Sequence, residues 1–169
     1  LTPAQNYMVT QGPLDTTVKD FWKAILHKNS RVIVTLVMAV EEGKDKCASY
    51  WTIPELTCDD WTITLVQKEH LANSNLIESH RIIVRTFLAK NSHEERKIKQ
   101  VHYENWPDGR IPDLDLFVKL LDVVDSIEDN PEAPITVHCS AGIGRSGTFV
   151  ATHSLRKEMR QAKHNDPLI

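Results

Sequence analysis

The sequence predicts an α/β protein, a mixed and mostly buried β-sheet flanked by helices, on three observations. Residues 32–40 form a near-continuous apolar and largely β-branched run, as expected of a strand buried on both faces. Several more segments in the middle of the chain alternate or run apolar like strands. Helical patterns lie at both ends, and strands with helices before and after them imply helices packed on the faces of one sheet. The length of 169 residues, with 41% hydrophobic and 25% charged residues, fits one globular domain and excludes disorder.

From the amino end, Tyr7-Met8-Val9-Thr10 reads as a short strand closed by the turn signal Gln11-Gly12-Pro13. Asp15 or a neighbouring Thr is placed to cap a helix. Its Val18, Phe21, Trp22, Ile25 and Leu26 recur at a 3.6-residue period and therefore face the core. After the 32–40 strand, residues 41–46 are polar and read as a loop. Residues 47–53, 61–67, 80–88 and 97–103 read as strands. Asp113 can cap a second helix that turns Phe117, Leu120, Leu121 and Val124 inward. Ile135-Thr136-Val137 is a short buried strand, and from Ser146 onward Phe149, Val150, Ser154 and Leu155 suit a helix.

Composition narrows the function. Twenty Lys and Arg against 23 Asp and Glu give a formal net charge of -3, so no broad basic surface for nucleic acid or anionic lipid follows. The longest apolar run is too short to span a bilayer, and the first residues carry no signal peptide. Three cysteines (Cys47, Cys58, Cys139), an odd count without a CxxC pair, predict free thiols in a reducing, cytoplasmic compartment. The chain begins at Leu1 rather than Met, which suggests a fragment or a processed product.

The most informative stretch is Val137-His138-Cys139-Ser140-Ala141-Gly142-Ile143-Gly144-Arg145-Ser146. A strand ends at His138, a loop of small residues turns, and a helix begins near Arg145 or Ser146. Successive N–H groups in such a loop form an anion nest, reinforced by the positive end of the helix. Gly142 and Gly144 allow tight backbone angles and leave room for a tetrahedral oxyanion. Arg145 can offer two parallel donors to a phosphate edge. Cys139 sits in that field, which should pull its thiol below the free value of about 8.5 and make it a nucleophile beside a bound phosphoryl group. The Ser146 hydroxyl can donate to the sulfur, and His138 can fix the loop by hydrogen-bonding to backbone.

Two other readings of this stretch are weaker. Adjacent His and Cys suggest a metal, but no second pair at zinc spacing exists, so no metal or other cofactor is expected. Gly142, Gly144 and Gly147 match a dinucleotide-binding glycine pattern, with Asp166 about where a ribose acid belongs. That acid should end a second apolar strand, and residues 156–166 contain none.

His138 to Ser146 resembles the H-C-x-x-G-x-x-R-S signature of the cysteine-dependent protein tyrosine phosphatases, the tyrosine-specific subgroup above all. Trp106-Pro107-Asp108 looks like the family's mobile acid loop. Tyr7 to Pro13 with Asp20-Phe21-Trp22, and the stretch from Glu41 to Trp51, are similar to two further family segments, so the resemblance runs through nearly the whole chain.

The resemblance implies the fold of that family, a strand–phosphate loop–helix site, and hydrolysis of phosphotyrosine on proteins and peptides in signalling. It assigns Cys139 as nucleophile, Asp108 as general acid and base, and Arg145, Ser146 and His138 as catalytic partners. Ser140, Ala141, Gly142, Ile143, Gly144, Arg145, Asp108 and Trp106 would hold the substrate, with Glu41 orienting Arg145 and Lys46 approaching Asp108. It also implies that residues 1–169 are a catalytic domain lacking the family's amino- and carboxyl-terminal portions, and that the chain acts as a monomer. Secretion into a host cell, or attachment to a membrane segment outside this chain, stays open.

A phosphotyrosine-binding pseudophosphatase and a dual-specificity phosphatase are the alternatives. Intact Cys139, Arg145 and Asp108 argue against the first; Trp106-Pro107-Asp108 and the amino-terminal match argue against the second. The sequence departs from the family in placing Gly109 directly after Asp108, with Arg110 where the family commonly has Gly, and in carrying Glu42 at a position that is often basic.

Overall fold

A computed structural model describes residues 6–71, 82–104 and 106–165. In chain order they form strand β1 (Tyr7–Thr10), helix α1 (Val18–His27), β2 (Val32–Thr35), β3 (Val40–Glu41), β4 (Lys44–Asp45) and β5 (Glu55–Cys58). Then come β6 (Trp61–Leu71), β7 (Ile82–Lys90), β8 (Glu95–Tyr103), α2 (Leu114–Ile127), β9 (Ile135–His138) and α3 (Gly144–Asn165). Seven strands join one sheet in the order β1-β9-β2-β8-β7-β6-β5. β1, β9, β2 and β8 run parallel, while β8, β7, β6 and β5 pair antiparallel. The mixed sheet flanked by helices is the predicted fold class.

The apolar faces fall largely where the periodicity puts them. In α1 the residues Val18, Phe21, Trp22, Ile25 and Leu26 are all buried, with Trp22 edge-on to Phe87 of β7 at 5.1 Å and Phe21 edge-on to His138 of β9 at 5.5 Å. In α2, Phe117, Leu120, Leu121 and Val124 are buried as expected, together with Leu116. The carboxylate of Asp113 caps α2 by accepting from the Leu116 N–H at 3.0 Å. β2 and β9 are buried at every position.

Several expectations are corrected. The 32–40 run is a strand only to Thr35: Leu36 and Val37 stay buried in the core, but the chain leaves the ladder and enters the hairpin β3–β4. Residues 41–46 are therefore not a plain loop. Glu42 (φ 51°) and Gly43 (φ 73°) both take left-handed angles, as the two central residues of a type I′ hairpin turn must. Residues 47–53 are not a strand either; Tyr50–Thr52 is a 3₁₀ turn that buries Tyr50 and Trp51, so apolar spacing there reflects packing rather than pleating. β5 was missed because its four residues alternate too briefly to register.

β7 begins at Ile82, and the expected start at His80 lies outside the described residues. No side chain caps α1: Asp15–Thr17 is a 3₁₀ turn, and the Thr17 hydroxyl accepts from the Leu14 N–H instead. In α3, Phe149 is buried but Leu155 is 59% exposed, because the inward stripe passes through His153.

The topology gathers the loops. Thr10, His138 and Thr35 lie abreast at the carboxyl ends of β1, β9 and β2, and His102 continues the row in β8. Open α/β sheets bind ligands in crevices outside such carboxyl ends. Within α2, Leu120→Ala should cost about 2–5 kcal/mol because Leu120 is fully buried. Val118→Ala, at a 52% exposed position, should stay within about 0.5 kcal/mol. Urea unfolding of the two variants checks the contrast.

Candidate active site

The loop after β9 is built around one left-handed residue. Gly142 has φ 75°, and a Cβ there would stand 2.5 Å from the Thr10 carbonyl oxygen, so only glycine fits. With the backbone so folded, the Gly142 N–H donates to the Cys139 sulfur at 3.2 Å. The Gly12 N–H donates to the Ser140 carbonyl at 2.8 Å and the Ser140 hydroxyl to the Lys46 carbonyl at 3.1 Å, which anchors the loop to the chain after β1 and to the β4 end of the hairpin. Ala141 and Ile143 stand exposed at the rim, Ile143 by 76%. Gly144 opens α3 one residue before the expected start and has open space where a Cβ would lie.

Cys139 is almost fully buried. Burial pushes its thiol up, but the Ser146 hydroxyl and the N–H groups of Ser146, Gly142 and Ile143 outweigh it, so the thiol titrates below its ordinary range. The Ser146 oxygen is buried with no hydrogen bond of normal geometry, which leaves its proton free for the sulfur when that ionises. Cys47, buried without such donors, is pushed up to about 12, with Asp15 adding to the effect of burial; Cys58 also shifts upward, chiefly from burial.

Arg145 is held rigidly for a long side chain. Nη1 donates to Glu41 Oε1 at 2.6 Å and to the Trp106 carbonyl at 3.0 Å, and Nη2 donates to Glu41 Oε2 at 3.2 Å. Three of the five guanidinium donors are thereby engaged, two of them on the edge that faces Glu41. The Nε–H and one Nη2–H remain side by side, the pair that grips two oxygens of a phosphate. Asp108 Oδ1 lies 3.7 Å from Nη2, so the free edge looks towards the acid loop.

The loop after β8 joins the site through Trp106, buried edge-on against Phe117 of α2 at 5.4 Å. Its indole N–H donates to the Arg110 carbonyl at 2.9 Å. Between them a turn closes from the Arg110 N–H to the Pro107 carbonyl at 3.3 Å, with Gly109 at φ 66°. The left-handed residue is thus Gly109, which frees position 110 from needing glycine. Asp108 is exposed and accepts from Lys46 Nζ at 3.2 Å; Lys46 first and Arg145 second hold its carboxyl below the usual range. A cleft of about 480 Å³ opens between this loop and the hairpin, lined by Glu41, Lys46, Trp106 and Asp108 among others.

All the expected site residues are therefore gathered at one end of the sheet. Nothing in the residue pattern marks the partners behind the loop. His138 is fully buried and neutral, since burial lowers its pKa to about 4. Nδ1 lies 3.1 Å from the Cys139 carbonyl, and Nε2 lies 2.8 Å from the Tyr50 hydroxyl and 3.1 Å from that of Thr35. Tyr50 and Thr35 sit in apolar surroundings that read as core, and only the tertiary arrangement reveals their polar ends. Among the described residues no group of three or more His, Cys, Asp or Glu is placed to hold a metal ion, and no helix is long and apolar enough to cross a membrane.

The Protein-tyrosine phosphatase family profile matches residues 2–168. The chain belongs to the protein-tyrosine phosphatase family. Tyrosine-protein phosphatase 2 of Dictyostelium discoideum is 40% identical over 163 residues, covering 95% of this chain and 41% of that protein. Receptor-type tyrosine-protein phosphatase eta of Homo sapiens is 37% identical over 156 residues, 89% of this chain and 11% of that protein. The crystal structure of the catalytic domain of human protein tyrosine phosphatase non-receptor type 18 superposes with a TM-score of 0.80 at 29% identity, covering 93% of this chain and 55% of that one. The chain thus spans less than half of these curated relatives and about half of that solved domain.

Thiol reactivity should follow the opposed shifts. A lowered pKa leaves more of Cys139 as thiolate at a given pH than of an ordinary thiol, near 8.5. Iodoacetamide at about pH 6.5 should therefore alkylate Cys139 well before Cys47 and Cys58. Peptide mapping over time checks the order, and earlier modification of either other cysteine contradicts it.

Proposed function

We propose that this chain, residues 1–169, is a protein tyrosine phosphatase catalytic domain that hydrolyses phosphotyrosine on proteins or peptides through a cysteinyl-phosphate intermediate. The observation that carries the reading is a loop at the end of the sheet that holds both a buried, activated Cys139 and Arg145, with the Arg145 guanidinium 3.7 Å from the Asp108 carboxyl. Relatives support the substrate class: human non-receptor type 18 has been crystallised in complex with HER2 phosphopeptides, with a TM-score of 0.82 to this chain.

The first step forms a sulfur–phosphorus bond and breaks the ester bond to the tyrosine oxygen. The free donors of Arg145 and the loop N–H groups from Ser140 to Arg145 hold the three equatorial oxygens as charge spreads over them. The departing phenolate, of parent pKa near 10, takes a proton from Asp108. In the second step Asp108, now carboxylate, accepts a proton from water as its oxygen attacks phosphorus. The sulfur–phosphorus bond breaks, inorganic phosphate leaves, and the Ser146 hydroxyl donates to the returning thiolate. No metal or organic cofactor enters this route.

Asp108 must be protonated to begin, although Lys46 and Arg145 favour its carboxylate form. A phosphate dianion bound to Arg145 takes over that cation and repels the carboxylate, which raises the acid's pKa on substrate arrival. Every side chain in the scheme comes from one chain, so no second copy is required. A thiolate nucleophile works only while reduced, which points to a reducing compartment.

Cys139→Ser should abolish turnover yet still bind vanadate, because the N–H groups and Arg145 remain; hydrolysis near the native rate would remove Cys139 from its role. Asp108→Ala should slow phosphotyrosine by roughly 10²-fold or more and nitrophenyl phosphate by less, since that leaving group needs little protonation. Equal small losses on both substrates would show an idle acid. Binding of phosphopeptide without any turnover by the native chain would identify a pseudophosphatase.

A further inference from the structure

The geometry points to Arg85 and Gln100 as positioning residues for the nucleophile loop: the Arg85 guanidinium fixes the direction of a buried hydrogen-bond chain that runs through Gln100, Tyr50, Thr35 and His138 to the Cys139 carbonyl. The inference rests on Cys139 being the nucleophile.

The chain is written into the sheet. Arg85 and Gln100 are cross-strand partners in β7 and β8, and Thr35 and His138 are partners in β2 and β9. Thr35, Gln100 and His138 are fully buried, Tyr50 is 1% exposed and Arg85 is 4% exposed. Arg85 Nη1 donates to Gln100 Oε1 at 3.0 Å. Arginine has donors only and does not deprotonate, so the amide atom facing it is the oxygen at every pH. The Gln100 amide nitrogen then faces the other way, donating to the Thr35 hydroxyl at 2.9 Å and to the Tyr50 hydroxyl at 3.0 Å.

The remaining protons have little choice. Each hydroxyl oxygen already accepts from Gln100, and the two lie 3.0 Å apart. One hydroxyl proton settles between them, and the other goes to His138 Nε2, from Tyr50 at 2.8 Å or from Thr35 at 3.1 Å. In both arrangements Nε2 is an acceptor. The proton of the neutral imidazole must therefore sit on Nδ1, which donates to the Cys139 carbonyl at 3.1 Å. In a planar trans peptide the following N–H points opposite to the carbonyl. Drawing the Cys139 carbonyl towards His138 thus aims the Ser140 N–H the other way, fixing the first peptide of the anion nest beside the sulfur.

The test is Gln100→Glu, which keeps shape and lets Arg85 meet a carboxylate but replaces the two amide donors with acceptors. Both hydroxyls then donate to that carboxylate, none is left for His138, and Nε2 acquires a proton at the expense of Nδ1. Histidine ¹⁵N NMR reads the exchange directly: native Nε2 is bare, and variant Nε2 is protonated. With the Nδ1–H bond lost, the Cys139 thiol should titrate higher, and iodoacetamide alkylation at about pH 6 should slow roughly three- to ten-fold.

A bare Nε2 in the variant overturns the proposal, and so does an alkylation rate that is unchanged or faster. Gln100→Met, which removes donor and acceptor alike, serves if the first variant fails to fold by thermal unfolding, and should slow alkylation in the same direction. Alkylation needs no turnover. A chain that follows these expectations yet releases no phosphate would retain the relay and lose the hydrolase reading.

Discussion

Four parallel strands ending in one row set the geometry on which the site depends. Thr10, His138, Thr35 and His102 are held abreast by ladder hydrogen bonds, and from that row leave the loops that carry Gly12, Cys139, Glu41 and Trp106. Glu41 and Arg145 are 104 residues apart in sequence, and Lys46 and Asp108 are 62 apart, yet both pairs close within 3.2 Å. The sheet meets the loop-closure cost once for all of them. An ion pair on mobile loops contributes about 0–1 kcal/mol, too little to assemble such a site unaided. The pairs refine what the strand register has already brought together.

On that scaffold, burial and directed donors compete, and the two buried cysteines show which wins. Cys47 and Cys139 are each less than a tenth exposed, and burial raises both thiols. Cys139 also receives the Gly142 N–H, with Ser146 and Ile143 close by, because Gly142 folds the loop back over the sulfur. The same element therefore sends two buried thiols in opposite directions, one raised and one lowered. Arg145 shows a related logic: with its Glu41 edge saturated, its charge is neutralised without occupying the edge that a phosphate needs.

Much of this was legible in the residues. Helical stripes in α1 and α2 were readable because a single buried face imposes the 3.6 period, and the signature loop was readable because its chemistry needs Cys, Gly and Arg at fixed spacing. The failures fall where burial is not tied to a repeat. Leu36 and Val37 look like strand because they are apolar, but they pack beyond the ladder. Leu155 looks like core, yet the inward position on α3 is the polar His153, which meets Asp125 at 2.9 Å and Tyr7 at 2.8 Å. Tyr50, Thr35 and Gln100 are unremarkable in sequence because a buried polar network is specified by three-dimensional neighbours. The Gly109-Arg110 departure was resolved by one angle: the turn places its positive φ at Gly109.

In the proposed mechanism Asp108 brings these themes together, because a carboxyl tethered to Lys46 is a poor acid and would have to become a good one. The tether is an exposed pair, worth about 0–1 kcal/mol. A phosphate dianion beside it would carry more charge than the lysine and of opposite sign, and so would favour proton uptake at the carboxyl. After the proposed first step the phosphoryl group would sit on sulfur with less charge, and Asp108 would return to a state able to accept a proton from water. Weak tethering would then serve the proposed chemistry: a buried, tight Lys46–Asp108 pair would resist the incoming dianion and leave the phenolate without its proton.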